Sequence, residues 1–167
     1  MIMRSSQKVR SVLFMALCSI LFITAFAWSG SPNTFPSGQC TWYADGRAYE
    51  TGWRLKFSVN SGRDARLWPN VLLNGACAVG PQAGTIMVLD GWSANPYGHV
   101  AYIESVQAGG KWTVTHANWG TGTVDRYISG YPIRKTQFEF VPGSSTKVRV
   151  VGGSTSYPLR EFIIRPY

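Results

Sequence analysis

The 167-residue sequence is poor in charge and in cysteine. Charged residues make up 14% of the chain, against about 25% in a typical soluble domain. Hydrophobic residues make up 45%, which excludes a disordered, solvated chain because such a chain needs the opposite balance. The eight acidic residues are scattered, so the sequence contains no acidic metal-binding loop and no carboxylate cluster.

Patterns for metals, nucleotides and nucleic acids are also missing. The cysteines and histidines show neither C-x-x-C nor H-x-x-x-H spacing, which disfavours a zinc site. Walker, Rossmann and zinc-finger motifs are absent. The 16 basic residues outnumber the acidic ones but form no stripe, so we predict no nucleic-acid partner. We therefore expect no metal and no cofactor.

The N-terminal segment has the form of an export signal. Residues 1–10 contain three basic residues and no acidic one, and residues 11–28 contain no charge. This is the pattern of a secretory signal peptide, and we predict cleavage after Ala27. An apolar run of about 18 residues also suffices to cross a bilayer, so an uncleaved N-terminal anchor is the alternative and the only membrane contact that we expect. In both cases residues 28–167 are expected outside the cytoplasm, secreted, periplasmic or cell-wall-associated.

The rest of the chain divides into a linker, residues 28–37, and one domain, residues 38–167. Residues 28–167 keep 13 basic and all 8 acidic residues, a formal charge of +5, and a chain of this length can bury a core without disulfides. The sequence predicts helices over 39–50 and 61–68, the second stopped by Pro69, and then strands over 85–89, 99–106, 111–118, 138–141, 147–151 and 162–164. Helices followed by an antiparallel meander indicate an α+β fold.

Cys40 lies at the start of the first predicted helix. The helix dipole and the free N–H groups there stabilise a thiolate and lower the pKa of a cysteine, and the same N–H groups can bind a developing oxyanion. Cys40 is therefore a candidate nucleophile. In an oxidising compartment a Cys40–Cys77 disulfide is the alternative interpretation.

His99 begins one predicted strand, and His116 lies near the end of the next. A tight hairpin pairs residues whose numbers sum to about 218, which puts Tyr102 near His116, and a shift at the strand ends brings His99 alongside His116 and Asn118. With Cys40 these residues could form a triad in which an imidazole takes the thiol proton and a third group fixes its tautomer. Taken singly, each histidine is also consistent with a hydrogen-bonded strand residue.

These segments resemble the CHAP family of cysteine, histidine-dependent amidohydrolases/peptidases. The most specific are GQCTWYA at 38–44, which resembles the nucleophile segment, and YGHVAYIESV at 97–106, which resembles the histidine strand. Further similar segments are GRDARLW at 62–68, PQAGTIMV at 81–88, THANW at 115–119 and FI at 162–163. The resemblance covers roughly residues 37–166.

The resemblance implies a papain-like fold and hydrolysis of an amide bond in peptidoglycan. Cys40 would attack the carbonyl carbon, and His99 would act as general base and then as general acid. Many members have Glu where this chain has His116, but a histidine in that role is familiar from related papain-like wall hydrolases. We therefore take His116 as the orienting group and Asn118 as the second candidate. Some members carry an acidic calcium-binding loop where this chain has SPNTFPSG, so no calcium is expected.

Substrate binding is assigned to Gln39 and to three aromatic residues near the site, Trp92, Tyr97 and Trp119, whereas Trp42 is expected in the core. The predicted function is that of a secreted, monomeric cysteine enzyme acting on peptidoglycan. It would be either an N-acetylmuramoyl-L-alanine amidase or a peptide endopeptidase. The alternative is a non-catalytic wall- or glycan-binding module with the same fold.

Overall fold

The computed structural model describes residues 33–60 and 62–166. The predicted export signal and the first half of the predicted linker lie outside the described residues. Helix α1 spans Cys40–Glu50, and a 3-10 turn at Ala65–Leu67 leads into the one-turn helix α2, Trp68–Val71. Eight strands follow: β1 Ala76–Ala78, β2 Ile86–Leu89, β3 His99–Gln107, β4 Lys111–His116, β5 Thr123–Ile128, β6 Tyr131–Phe140, β7 Lys147–Val150 and β8 Ser156–Ile164. In this part of the chain no helix is long and apolar enough to cross a membrane.

The first predicted helix agrees with α1, but the second differs from the structure. Helical structure there begins only at Ala65, and it continues through Pro69 to Val71. Pro69 does not stop this helix because it lies in the first turn, where its missing N–H has no partner within the helix and its fixed φ suits helical geometry.

Six of the strands close into a barrel. The order around the ring is β2, β3, β4, β6, β7 and β8, and β8 pairs again with β2, all antiparallel. Strand β1 extends the sheet at β8, and β5 extends it at β6. The predicted order of helices followed by antiparallel strands is confirmed. The dominance of the sheet and its closure were not predicted, because closure depends on strands far apart in the sequence.

The barrel interior is apolar except at one end. It is filled by Ala78, Met87, Leu89, Ala101, Ile103, Trp112, Val114, Phe138, Val148 and Phe162. Side chains alternate between the two faces of a strand, so His99 continues the inward row of Ala101 on β3, and His116 continues that of Val114 on β4. Both histidines therefore lie at one end of the barrel interior.

A β-bulge at Glu104 sets the register of the β3–β4 hairpin. On the turn side of Glu104 the paired residue numbers sum to 218, and on the other side they sum to 217. Tyr102 therefore pairs with Thr115 and not with His116 as the unshifted hairpin predicts, and the shift expected towards the strand ends is present at Glu104. Since directly opposite residues share a face, the extra residue in β3 puts His99 on the same face of the hairpin as His116; without it the two histidines would lie on opposite faces.

Residues 33–36, at the end of the predicted linker, pack against the domain. Asn33 Nδ2 donates to the Trp42 carbonyl oxygen at 2.7 Å. The buried Phe35 ring contacts Phe57 and Trp68 at centroid distances of 5.4 and 5.6 Å. The compact unit accordingly begins at Asn33, ahead of the predicted boundary at residue 38.

Candidate active site

A polar network on the outer face of β3 and β4 holds helix α1. Tyr43 O–H donates to Thr115 Oγ1 at 2.8 Å, and the Thr115 hydroxyl donates to Glu104 Oε1 at 2.6 Å. Arg47, one turn after Tyr43, donates to both oxygens of Glu104, at 2.9 Å from Nε and 2.7 Å from Nη2. These bonds fix the position of α1 along the hairpin and so fix where the helix begins, at Cys40.

Cys40 and His99 line one open cavity of about 490 Å³. Burial raises the pKa of the Cys40 thiol, and the backbone N–H groups of Val100, Thr41 and Cys40 itself oppose this only in part. The expectation of a lowered thiol pKa at the helix start is therefore wrong. The N–H groups are present as predicted, but burial disfavours the thiolate more than they favour it.

The disulfide alternative is not realised. Cys40 is a buried free thiol, and Cys77 is an exposed free thiol on β1. Cys40 is thus left available for nucleophilic chemistry.

The loop before His99 can follow its path only with glycine at position 98. Gly98 has a φ of +74°, and a Cβ there would collide with the Leu89 carbonyl oxygen and lie 2.8 Å from Arg66 Cβ. The Arg66 N–H, in the 3-10 turn, donates to the Tyr97 carbonyl oxygen at 3.1 Å. This close passage fixes the start of β3 and therefore the position of His99.

The two histidines form a buried, neutral pair. Their rings meet edge to face with centroids 5.2 Å apart, and His116 Nε2 lies 2.9 Å from Thr136 Oγ1. His99 Nε2 and His116 Nδ1 are buried without a hydrogen-bond partner. Burial, with His116 nearby, lowers the pKa of His99 well below 6.5, and burial together with Arg134 lowers the pKa of His116 to about 4. Both imidazoles are therefore uncharged at neutral pH and can accept a proton.

Aromatic rings cover this pair from the barrel end. The Trp119 ring lies 4.8 Å from His99 and 5.4 Å from His116, and Trp92 and Tyr157 pack on it at 5.8 and 4.8 Å. Trp92 and Trp119, both predicted to bind substrate, pack against the barrel core and are not among the residues that line the cavity. The structure therefore brings Trp119 to the histidines, but it brings neither tryptophan to the cavity wall.

Gln39, Tyr97 and Asn118 do line the cavity. Asn118 Nδ2 donates to Gln39 Oε1 at 2.6 Å, and Asn118 has the left-handed φ of 56°. The Asn118 amide is thus bonded to Gln39 and not to His99, whose buried Nε2 has no partner. Of the two residues considered for the third position, His116 is the one whose ring meets His99.

Several residues that line the cavity were not predicted. The cavity is also bordered by Thr34, Phe35, Pro36, Thr41, Asn60, Gly62, Arg63, Asp64, Ala65, Asn95 and Gly98. The Arg63 guanidinium lies 4.2 Å from the centre of the Phe35 ring and donates to Thr34 Oγ1 at 2.8 Å. The GRDARLW segment was predicted as a helix and not as a cavity wall, and the residues that Arg63 contacts, Thr34 and Phe35, lie in the predicted linker.

Thr136, which contacts His116, was also missed, because only the end of strand β6 was predicted.

Within residues 33–60 and 62–166 no group of three or more His, Cys, Asp or Glu side chains is placed to hold a metal ion.

Sequence comparison identifies relatives of this chain. A family model described as CHAP domain matches residues 30–118. The probable autolysin SsaALP of Staphylococcus aureus (strain NCTC 8325 / PS 47) is 33% identical over 92 residues, which are 54% of this chain and 32% of that protein. Staphylococcal secretory antigen ssaA2 of the same strain is 32% identical over 120 residues, 71% of this chain and 42% of that protein. The chain thus spans less than half the length of these curated relatives.

Solved structures share the fold at lower identity. A crystal structure of Ly7917 with the hydrolyzing product of MDP has a TM-score of 0.51 and 19% identity, covering 84% of this chain and 59% of that one. A second crystal structure of Ly7917 has a TM-score of 0.50 and 18% identity, covering 82% of this chain and 57% of that one. At this identity the likeness establishes the fold alone.

Proposed function

The chain belongs to the CHAP domain family, and we propose that it is a cysteine-dependent peptidoglycan hydrolase that cleaves an amide bond. The bond is either that between muramic acid and L-alanine, cut by an amidase, or a bond within the stem or cross-linking peptides, cut by an endopeptidase. The arrangement that we propose is papain-like, with the cysteine at the start of a helix and the histidine on the adjacent sheet.

One observation carries this proposal. Cys40 at the start of α1 and His99 at the start of β3 line the same open cavity, although 58 positions of sequence separate them. A thiol beside a neutral imidazole is the pair that nucleophilic acyl transfer requires. The oriented N–H groups that a carbonyl needs lie next to the thiol, at Cys40 and Thr41.

The proposed reaction begins with both groups uncharged. When the substrate carbonyl reaches Cys40, the S–H proton moves to a free ring nitrogen of His99, and the sulfur forms a bond to the carbonyl carbon. The carbonyl π electrons move to its oxygen, and the N–H groups at the start of α1 stabilise that oxyanion. The oxyanion then collapses, the C–N bond breaks, and the His99 imidazolium gives its proton to the leaving amine.

Water completes the cycle. His99, neutral again, takes a proton from water as its oxygen attacks the thioester, and Cys40 leaves as the thiol when His99 returns the proton. His116 orients His99 throughout, and Asn118 acts through its bond to Gln39, which with Tyr97 contacts the substrate.

The remaining assignments belong to the same proposal. Residues 1–27 are an export signal or an N-terminal anchor, residues from about 33 onward form the catalytic domain, and the protein acts as a monomer outside the cytoplasm. The names of the staphylococcal relatives, autolysin and secretory antigen, support an extracellular, wall-directed role.

Incubation with purified cell walls tests the function. We expect wild type and Cys77→Ser, the matched control at the exposed thiol, to release soluble muropeptides, whereas Cys40→Ala releases none above background. Mass spectrometry of the fragments identifies the bond from the new amine and carboxyl termini. Equal release by wild type and Cys40→Ala would overturn the proposal. Wall binding without release by any variant would indicate the non-catalytic binding module instead.

A further inference from the structure

The Thr136 hydroxyl lies between His116 and the backbone carbonyl oxygen of Thr121. Resting on the function proposed above, we propose that Thr136, anchored by the Thr121 carbonyl, is a positioning residue that fixes the tautomer of His116 and, through it, that of His99. The result is a resting state in which His99 Nδ1 carries no proton and can accept that of the Cys40 thiol, which lines the same cavity.

The contacts of Thr136 determine which groups donate and which accept in these hydrogen bonds. Its hydroxyl lies 3.2 Å from the Thr121 carbonyl oxygen and 2.9 Å from His116 Nε2. A carbonyl oxygen only accepts, and a hydroxyl has one proton, so the proton of Thr136 goes to Thr121. Both contacts are then satisfied only if His116 Nε2 carries a hydrogen and donates it to Thr136 Oγ1.

The loop that supplies the Thr121 carbonyl is shaped for this approach. Gly122 has a φ of +84°, and a Cβ at that position would collide with Thr136 Oγ1 and with the Lys135 carbonyl oxygen. The Gly122 carbonyl oxygen in turn accepts from Arg134 Nη1 at 2.9 Å. Thr136 is 3% exposed, so no solvent molecule competes strongly for its proton.

The tautomer of His116 determines that of His99. With the proton on Nε2, His116 Nδ1 is a lone pair, and it is one of the two buried ring nitrogens without a partner; the other is His99 Nε2. The ring centroids lie 5.2 Å apart, and a buried lone pair is stabilised by a donor on the neighbouring ring, which requires the hydrogen of His99 to lie on Nε2. His99 Nε2–H donating to His116 Nδ1 leaves His99 Nδ1 as the free base. Bonds of this kind are often long in the free enzyme and shorten with substrate bound.

The opposite direction would disable the base. If Thr136 gave its proton to His116 Nε2, His116 would carry its hydrogen on Nδ1 and donate it to His99 Nε2. His99 would then hold its own proton on Nδ1 and could not accept one from Cys40. The Thr121 carbonyl prevents this arrangement by taking the Thr136 proton.

Nitrogen NMR of the histidine rings tests this directly, because the whole sequence contains only two histidines. The full chain, labelled with ¹⁵N-histidine and carrying no histidine tag, shows two imidazoles, which His116→Gln assigns. Spectra at pH 7 are expected to show both rings neutral and protonated at Nε2, with both Nδ1 atoms unprotonated. Protonation of His116 at Nδ1 would overturn the proposal, whether or not the protein hydrolyses cell walls.

Two substitutions at Thr136 extend the test. Thr136→Val keeps the shape but removes the hydroxyl, and Thr136→Ser restores it. In the valine variant we expect a mixture of His116 tautomers and a kcat lower by about tenfold or more, with KM within about twofold, since only the resting protonation state changes. In the serine variant we expect wild-type spectra and rates.

The outcomes separate this inference from the proposed function. A folded valine variant with wild-type tautomers and kcat would overturn the role of Thr136 while leaving a Cys40-dependent hydrolase intact. Loss of kcat in both variants with unchanged ring spectra would indicate a packing role and would also overturn it. If Thr136→Val fails to fold, the wild-type and serine spectra still decide the tautomers.

Discussion

The polar side chains on the two faces of the β3–β4 hairpin differ in how completely they are hydrogen-bonded. On the outer face, Thr115 and Glu104 are fully engaged with Tyr43 and Arg47 of helix α1. On the inner face, the histidine pair is more deeply buried, and one ring nitrogen of each histidine has no partner. A closed network stabilises a structure, whereas buried groups with unused bonding capacity are ready to take part in chemistry.

The difference arises from the bulge at Glu104. Without it, alternation would put His99 and His116 on opposite faces of the hairpin. The one-residue shift gives the outer face a complete set of donors and acceptors and gives the inner face the second imidazole. β-bulges commonly re-aim a side chain beside an active site in this way.

The largest contrast between the faces should appear in activity. We expect His99→Gln to lower kcat/KM by roughly 10²–10⁴-fold, because a general base is lost. The matched outer-face variant Tyr43→Phe, which loses hydrogen bonds to Thr115 and Arg126, should stay within a few-fold of wild type. Muropeptide release under initial-rate conditions measures both. Similar losses in the two variants would remove the functional distinction between the faces.

The inner face should also control stability in acid. The folded-state pKa of His116, about 4, lies below its ordinary 6.5, so between these pH values the unfolded chain binds more protons than the folded chain. The stabilisation is complete above pH 6.5 and is lost as the pH falls towards 4, by up to roughly 3 kcal/mol. Burial likewise lowers the pKa of His99. Asp45, whose pKa burial raises to about 6, acts in the opposite direction.

Urea unfolding at pH 7 and pH 4.5 measures this loss. His116→Gln removes one titrating group and leaves Asp45 unchanged, so its free energy of unfolding should fall less between the two pH values than that of wild type. Parallel behaviour of the two proteins would show that His116 is already protonated in the fold.

Substitutions on the outer face should lower the stability of the protein more than its catalytic rate. Glu104→Gln keeps the shape but weakens the bonds to Arg47 and Thr115, at a cost of about 1–3 kcal/mol. The two charged side chains are only 19% and 23% exposed, so solvent screening is limited. Thermal melting should show a Tm lower by roughly 2–4 °C per kcal/mol. A reduced kcat at unchanged Tm would mean that this network belongs to the reaction and not to the scaffold.

The sequence predicted those helices and strands whose formation depends mainly on their own residues. Helix α1 was predicted from the residues around Cys40, strand β2 from a continuous apolar run, and strands β3 and β4 from a pattern of period two. The polar, exposed strand β5 was missed because its side chains lack that alternation. The short strand β1 was also missed, since it exists only through its pairing with β8.

The sequence by itself determined which residues are available for chemistry: one cysteine at the start of a helix and two histidines on neighbouring strands, in segments similar to one family. Only the tertiary structure decided how they meet. The barrel closure and the bulge at Glu104 put both imidazoles inside, burial reversed the expected direction of the Cys40 pKa, and strand β6 brought Thr136 to His116. The physical reason is that helix starts and strand alternation depend on neighbours along the chain, whereas register, burial and hydrogen-bond direction depend on groups that only folding brings together.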